Sequence, residues 1–303
     1  MIRIFTGYGD MGGSTIAFIN LVNLLNENGY EAILYAPHTW MLDQCRSEQI
    51  DGKFLNKYFT TPRASQCVLR DYNILNQLVE DDDIVIFHLI PLYMEQYDKE
   101  LDISYFDTSR LKKVIYSCHE TDVYPISNIN AEKFDYVHYV SEFQRDWHNY
   151  HEVENVVIPN IISPIDKQEK TIDFEKIGGV IGSVNKTKRT HVAIQAALDD
   201  GCDKVLVFGS TDARGEDYWN ENIKPFIDDD VVMILGRCDD KSLMYSDLDV
   251  VYHACQVETF NYIEKECAML GIPYKHTDSM DKTPVPVITS NEDILKMWEK
   301  VFK

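Results

Sequence analysis

Short apolar runs alternate with stretches of helical period from one end of the chain to the other, a pattern that predicts an α/β protein built on parallel sheets. In the first half, strands are expected at Ile2–Thr6, Ala32–Ala36, Ile84–His88, 114–118, 136–140 and 156–158. Between the first two, apolar residues at Phe18, Leu21, Val22, Leu24 and Leu25 mark an amphipathic helix that ends at Gly29. In the second half, strands are expected at 179–182, 205–209, 231–235 and 250–252, with helices at 190–198, 218–227, 242–245 and 260–270. A last helix is expected at 292–302, after a polar stretch rich in Thr, Asp and Pro.

The segment Ile158-Pro-Asn160-Ile-Ile-Ser-Pro164-Ile-Asp, followed by a charged run to Lys170, has the composition of an interdomain linker. It divides the chain into an N-terminal domain over residues 1–165 and a C-terminal domain over 166–290. Residues 291–303 form a terminal helix that can pack back on the first domain. With 303 residues, two domains of ordinary size are available. No short repeat and no low-complexity tract interrupts the pattern.

Charge changes the picture of partners. The formal net charge is −21, so nucleic acid and anionic membranes are disfavoured by long-range repulsion. Only the cluster Lys53, Lys57, Arg63 and Arg70 and the pair Lys112-Lys113 could make a local basic groove. The seven cysteines are odd in number, scattered, and contain no C-x-x-C pair, which predicts a reduced, cytoplasmic chain. The first residues read as a strand, so no signal peptide is expected. No apolar run approaches the length of a membrane span.

Four places carry candidate chemistry. Gly7-Tyr-Gly9-Asp-Met-Gly12-Gly13 follows the first strand and contains G-x-G-x-x-G. Such a loop can admit a pyrophosphate, which gives an NAD(P)-dependent oxidoreductase as an alternative reading. That reading needs an acid at the end of the second strand, where Pro37-His38 stand. A plain strand-to-helix turn also explains the glycines. His119, with Glu120 and Asp122 close behind, ends another strand and is a candidate for orienting reacting groups or for a core loop. In Gly182-Ser183-Val-Asn-Lys186-Thr-Lys188-Arg189, three cations follow a strand end, where they could neutralise a diphosphate or form a solvated basic turn.

The fourth place is Glu258-Thr259-Phe260-Asn261-Tyr262-Ile-Glu-Lys-Glu266, ending at Gly271 and Pro273. A helix from Phe260 would leave Glu258 in the preceding loop and Glu266 on its second turn, roughly 12 Å away. The amides of Phe260, Asn261 and Tyr262 would then form a phosphate-attracting helix start. Ordinary solvated acids on a surface helix are the competing reading. Asp247-Leu-Asp249 spells D-x-D, but it precedes a parallel strand, at the wrong end of the sheet for a ligand, and is expected to be structural. The triplets Asp81-Asp82-Asp83 and Asp228-Asp229-Asp230 are expected to be solvated loops.

The two glutamates seven residues apart, with Phe260, Ala268, Gly271 and Pro273, resemble the corresponding motif of retaining glycosyltransferases of the GT-B fold, especially family 4. The resemblance implies two Rossmann-like domains facing a central cleft. It places Glu258 by the donor sugar, Glu266 on the nucleotide ribose, and the amides after Thr259 on the diphosphate. Lys188 falls at the spacing of the family's lysine, while Ser183 stands where the family has arginine and Arg189 where it has glycine. Gly12 and Gly13 would lie beside the donor diphosphate, and His119 over the donor sugar. Gly209 and Arg237 would line the base pocket, and Ser141-Glu142 and Asn160 match further family segments.

The implied activity is transfer of a sugar, with retention, from a nucleotide-diphosphate sugar to a hydroxyl acceptor. That acceptor could be a glycan, a lipid, a protein or a hydroxymethylated DNA base, the last opposed by the net charge. No cofactor or metal is expected to be obligatory. The same fold also serves sugar-nucleotide epimerases and would serve a non-catalytic sugar-nucleotide binder, the latter supported by Ser183.

Overall fold

The fold is described from a computed structural model, over residues 1–6, 13–36, 44–49, 55–57, 67–69, 73–88, 93–94, 99–100, 106–119, 131–211, 215–227, 230–277 and 289–303. The chain divides into two compact units, one of Met1–Ile161 with Ile288–Lys303 and one of Ile162–Val287.

In the first unit the elements run β1 (Ile2–Thr6), α1 (Gly13–Glu27), β2 (Ala32–Ala36), β3 (Ser47–Gln49), β4 (Leu55–Lys57), β5 (Cys67–Leu69), α2 (Asn73–Leu78), β6 (Ile84–His88), β7 (Tyr93–Met94), β8 (Lys99–Glu100), β9 (Lys113–Cys118), β10 (Tyr136–Tyr139), α3 (Glu142–His148) and β11 (Glu154–Val157). Seven strands form one parallel sheet in the order β11-β10-β9-β6-β1-β2-β3, while β4 with β5 and β7 with β8 make two small antiparallel pairs. Every residue of β1, β2 and β6 is buried, because a parallel sheet is covered on both faces. Successive side chains point to opposite faces and enter separate cores. Phe5, Tyr35, Phe87 and Tyr116 pack on one face, and Ile4, Leu34, Ile86 and Ile115 on the other with α1.

The polar residues of this sheet correct one expectation. Asp81 and Asp82 are exposed, but Asp83 is only 2% exposed and accepts from Arg3 Nε at 2.5 Å and from the Glu80 amide at 2.6 Å. Arg3, itself buried, also donates to Tyr35 Oη at 2.9 Å. The triplet therefore includes one half of a buried ion pair.

The second unit runs β12 (Ile177–Ile181), α4 (Thr190–Asp199), β13 (Lys204–Phe208), α5 (Glu216–Tyr218), a π-helical turn at Trp219–Ile223, α6 (Lys224–Ile227), β14 (Val232–Gly236), α7 (Lys241–Ser246), β15 (Val250–His253), α8 (Tyr262–Leu270) and β16 (Tyr274–His276). Its five strands are all parallel, in the order β14-β13-β12-β15-β16. Asp247 accepts from the amides of Thr171 and Ile172 at 2.5 and 2.9 Å, and Asp249 accepts from the Ile177 amide at 2.8 Å. Both carboxylates thus fasten the segment leading into β12.

The chain returns to the first unit through α9 (Asn291–Phe302), capped by Ser290 Oγ accepting from the Asp293 amide at 3.1 Å. Its buried stripe, Ile294, Leu295, Trp298, Val301 and Phe302, follows helical period and joins the α1 core, where Tyr30 Oη donates to Glu299 at 2.9 Å. No helix among the described residues is long and apolar enough to cross a membrane.

Candidate active site

In a parallel sheet, ligand sites gather where the strands end. At that edge of the second unit, the Gly182 amide donates to the Phe208 carbonyl at 2.8 Å and the Gly209 amide to the Gly236 carbonyl at 2.7 Å. These bonds draw the ends of β12, β13 and β14 together. A Cβ on Gly209 would sit 1.9 Å from the Gly182 carbonyl oxygen, a backbone atom that cannot move aside. Gly209→Ala is therefore expected to displace the loop that carries Ser183 and to lower stability by about 1–3 kcal/mol, as overpacking does. Urea unfolding checks this, and wild-type stability in the variant would contradict the close approach.

The loop after β12 is shaped by Asn185, whose Oδ1 accepts from the Lys188 amide at 2.8 Å, and by Arg189, which holds a left-handed φ of 50° before α4. This geometry sends Lys188 to the end of β15, where its Nζ donates to Glu258 Oε1 at 2.5 Å. His253 Nε2 lies 3.2 Å from the same oxygen, and Cys255 donates its thiol to the Val257 carbonyl at 3.2 Å. Burial alone would push the Glu258 carboxyl up, but the Lys188 ammonium and His253 outweigh it and hold it down at about 2. Burial likewise favours a neutral Lys188, and the charge of Glu258 reverses this, so the lysine stays an ammonium. Burial pushes the Cys255 thiol up, which keeps it protonated. The result is a fixed cation paired with a fixed anion on the floor of the strand-end edge.

Helix α8 begins at Tyr262, two residues later than its sequence suggests, because Asn261 takes the capping position. Its Oδ1 accepts from the Glu264 amide at 3.2 Å and its amide nitrogen donates to Tyr274 Oη at 2.6 Å. Asparagine is a far better cap than phenylalanine, so the start slides past Phe260. The first helical amides belong to Tyr262 and Ile263, not to Phe260. Phe260 is buried against Tyr262 at 4.9 Å between ring centroids and lies under the Lys265 ammonium at 4.7 Å. Thr259 is half-buried in the same turn.

Glu266 is 2% exposed and already has two donors, Tyr245 Oη at 2.7 Å and Lys241 Nζ. Lys241 also lies 5.7 Å from the centre of the Tyr262 ring. Of the remaining candidates, Ser183 is half-buried beside Gly182, and Arg237 is exposed and paired with Asp239 at 2.6 Å. Gly13 opens α1 in the first unit, and Gly12 lies outside the described residues, as do most of the glycine loop and Glu120 and Asp122. His119 belongs to the first unit, buried between Phe18 and His88 at 4.9 Å from each, and burial holds its imidazole neutral.

Sequence reasoning found Lys188, Glu258 and Glu266 but missed His253, Cys255, Lys241 and Tyr245. His253 and Cys255 carried a usable signal, since they close a strand immediately before the glutamate. Lys241 and Tyr245 carried none, because only tertiary packing brings α7 against α8.

The two parallel-stranded units and their strand orders define the GT-B fold. Neither protein-family models nor curated proteins match the chain. Among solved structures it is similar to TarM, with 13% identity, 99% of this chain and 91% of that one covered, and a TM-score of 0.64. It is similar to HepE of Anabaena in complex with UDP-glucose, at 15% identity, coverage of 99% and 90%, and a TM-score of 0.61. The pneumococcal O-GlcNAc transferase GtfA, in complex with UDP and GlcNAc, is similar at 11% identity, coverage of 100% and 91%, and a TM-score of 0.62.

Proposed function

We propose that the chain is a retaining, family-4-like glycosyltransferase that takes its sugar from a nucleotide-diphosphate sugar. The observation that carries this reading is the meeting of Lys188 and Glu258, 70 residues apart in sequence, at the strand ends beside the start of α8. A fixed ammonium and the first amides of a helix suit a diphosphate that gains charge as it leaves. The structural neighbours include proteins solved with UDP, UDP-glucose and UDP with GlcNAc, which supports a nucleotide-sugar donor.

In this mechanism the C-terminal domain, residues 166–290, holds the donor and the N-terminal domain, 1–165, the acceptor hydroxyl. Lys188 neutralises the β-phosphate, the amides of Tyr262 and Ile263 add further donors, and Glu258 orients both Lys188 and the sugar. Glu266 receives the ribose hydroxyls on the lone pairs that Lys241 and Tyr245 leave open. Ser183 brings no charge, so Lys188, with Arg189 or Lys186, supplies the positive charge that this loop offers the phosphates. Departure of the diphosphate on the face where the acceptor attacks gives retention. His119, neutral and buried in the first unit, exchanges no proton. Cys45, Cys118, Cys202, Cys238, Cys255 and Cys267 are all free thiols, in keeping with a cytoplasmic setting.

A panel of nucleotide sugars, each tested for protection against thermal unfolding, checks the donor. A ligand at one hundred times its Kd adds about 2.7 kcal/mol of stability. Glu266→Ala is expected to weaken nucleotide affinity at least tenfold by calorimetry, because it removes the ribose acceptor and leaves Lys241 and Tyr245 unpaired. Unchanged affinity in that variant would overturn the donor site. Binding without sugar transfer to any acceptor would leave a non-catalytic binder instead.

A further inference from the structure

Two further groups flank the ion pair of Lys188 and Glu258. His253 is buried, and its Nε2 lies 3.2 Å from Glu258 Oε1. Cys255 is buried beside it, and the three potential ligand atoms of His253, Cys255 and Glu258 all lie within 4.8 Å of one another. In a tetrahedral zinc site the nitrogen-to-oxygen edge is about 3.4 Å and the edges to sulfur about 3.5 Å. One edge of that tetrahedron is already set, and the sulfur needs to close by only about 1 Å. The backbone of the triad is tied down from the neighbouring strand. Thr277 Oγ1 donates to the His253 carbonyl at 3.1 Å, and His276 Nε2 lies 3.1 Å from the Cys255 carbonyl.

We propose that His253, Cys255 and Glu258 form a three-ligand site for a zinc-class divalent cation, and that this cation and the Lys188 ammonium exclude one another. The ligand set of imidazole, thiolate and carboxylate favours zinc over magnesium or calcium, which take oxygen ligands. Binding releases the thiol proton of Cys255 to solvent, and His253 coordinates through Nε2. Charge balances on both sides of the exchange. The lysine-bound state pairs one cation with one carboxylate, and the metal-bound state pairs a dication with a thiolate and a carboxylate. Lys188 can leave, because its side chain is 34% exposed. The metal is therefore an inhibitor of the site, not a participant in transfer, and it opposes any ligand that needs Lys188. That last consequence rests on the donor reading above, while the metal site itself does not.

Cobalt(II) is the probe. Titration into the protein is expected to give a sulfur-to-cobalt charge-transfer band in the near ultraviolet and visible bands of tetrahedral intensity, displaced by zinc. Cys255→Ser should abolish the near-ultraviolet band, and His253→Gln should weaken cobalt binding at least tenfold, with thermal unfolding confirming that each variant is folded. Lys188→Gln should tighten cobalt binding at least tenfold, since it removes the competing cation, an effect that general loosening of the fold would not produce. Absence of the band in the wild type, its survival in Cys255→Ser, or weaker binding in Lys188→Gln would overturn the proposal. In a second arm, zinc should lower the rate of sugar transfer in proportion to its occupancy, and a chelator should restore it. Transfer at an unchanged rate with zinc bound would overturn the exclusion. Failure to bind any nucleotide would count against the donor reading and leave the cobalt result standing.

Discussion

Lys188→Ala is expected to lower kcat by about 10²- to 10³-fold, the usual effect of removing one preorganised donor from a developing anion. Nucleotide affinity should fall much less, because the proposed ribose contact at Glu266 and the amides of α8 remain. The separation follows from geometry. Lys188 comes from the loop after β12 and is held by Glu258 at 2.5 Å, so its charge is positioned before any ligand arrives. That pre-positioning matters most where phosphate charge grows. Lys188→Arg should recover little, since the planar guanidinium cannot place its charge where the lysine nitrogen stands. Steady-state kinetics with the donor found by thermal protection checks this, and an unchanged kcat in Lys188→Ala would remove the lysine from the mechanism.

Asp83→Ala is expected to destabilise the first unit by about 3–5 kcal/mol, the cost of leaving a buried charge without its partner. Asp83 and Arg3 are both buried, Arg3 within β1 and Asp83 in the turn that leads into β6. The pH dependence has a definite sign. Burial pushes the Asp83 carboxyl up, but the Glu80 amide and the Arg3 guanidinium pull harder, and its folded value lies below the usual aspartate range. Its stabilisation is therefore complete above the unfolded pKa, about 3.9, and is lost as pH falls through the lower folded value. Urea unfolding of wild type and variant, with hydrogen exchange followed in β1 and β6, should show a gap that is constant near neutrality and shrinks only in acid. A gap that shrinks toward alkaline pH would refute the assignment.

Much of the fold was legible because burial on both faces makes a strand a short, nearly continuous apolar run. β1, β2 and β6 read directly from Ile2–Thr6, Ala32–Ala36 and Ile84–His88 for that reason. The edge strands β3 and β16 did not, since Ser47–Gln49 and Tyr274–His276 are three residues each and mostly polar. Asp83 was read as solvated because its two neighbours are, and its partner lies 80 residues away. The second helix of the C-terminal half was expected to be continuous over 218–227, but five of its residues widen into a π turn, which side-chain periodicity does not register. In the candidate site, the family resemblance singled out both glutamates and the lysine. It could not show that Glu266 is shared with Lys241 and Tyr245, because that pairing is made only when α7 and α8 pack together.

The return of the chain into the first unit through α9 has a consequence for the order of assembly. A ribosome releases β1 to β11 long before Trp298 exists to stack near His138, with ring centroids 4.7 Å apart. Until then the apolar surface of α1 that receives Ile294, Leu295 and Phe302 stays uncovered. The half that is made first is thus completed last, and the intervening half can fold on its own strands while the other waits. A released chain that ends at residue 290 should therefore protect the second unit from protease and leave the first one open to attack.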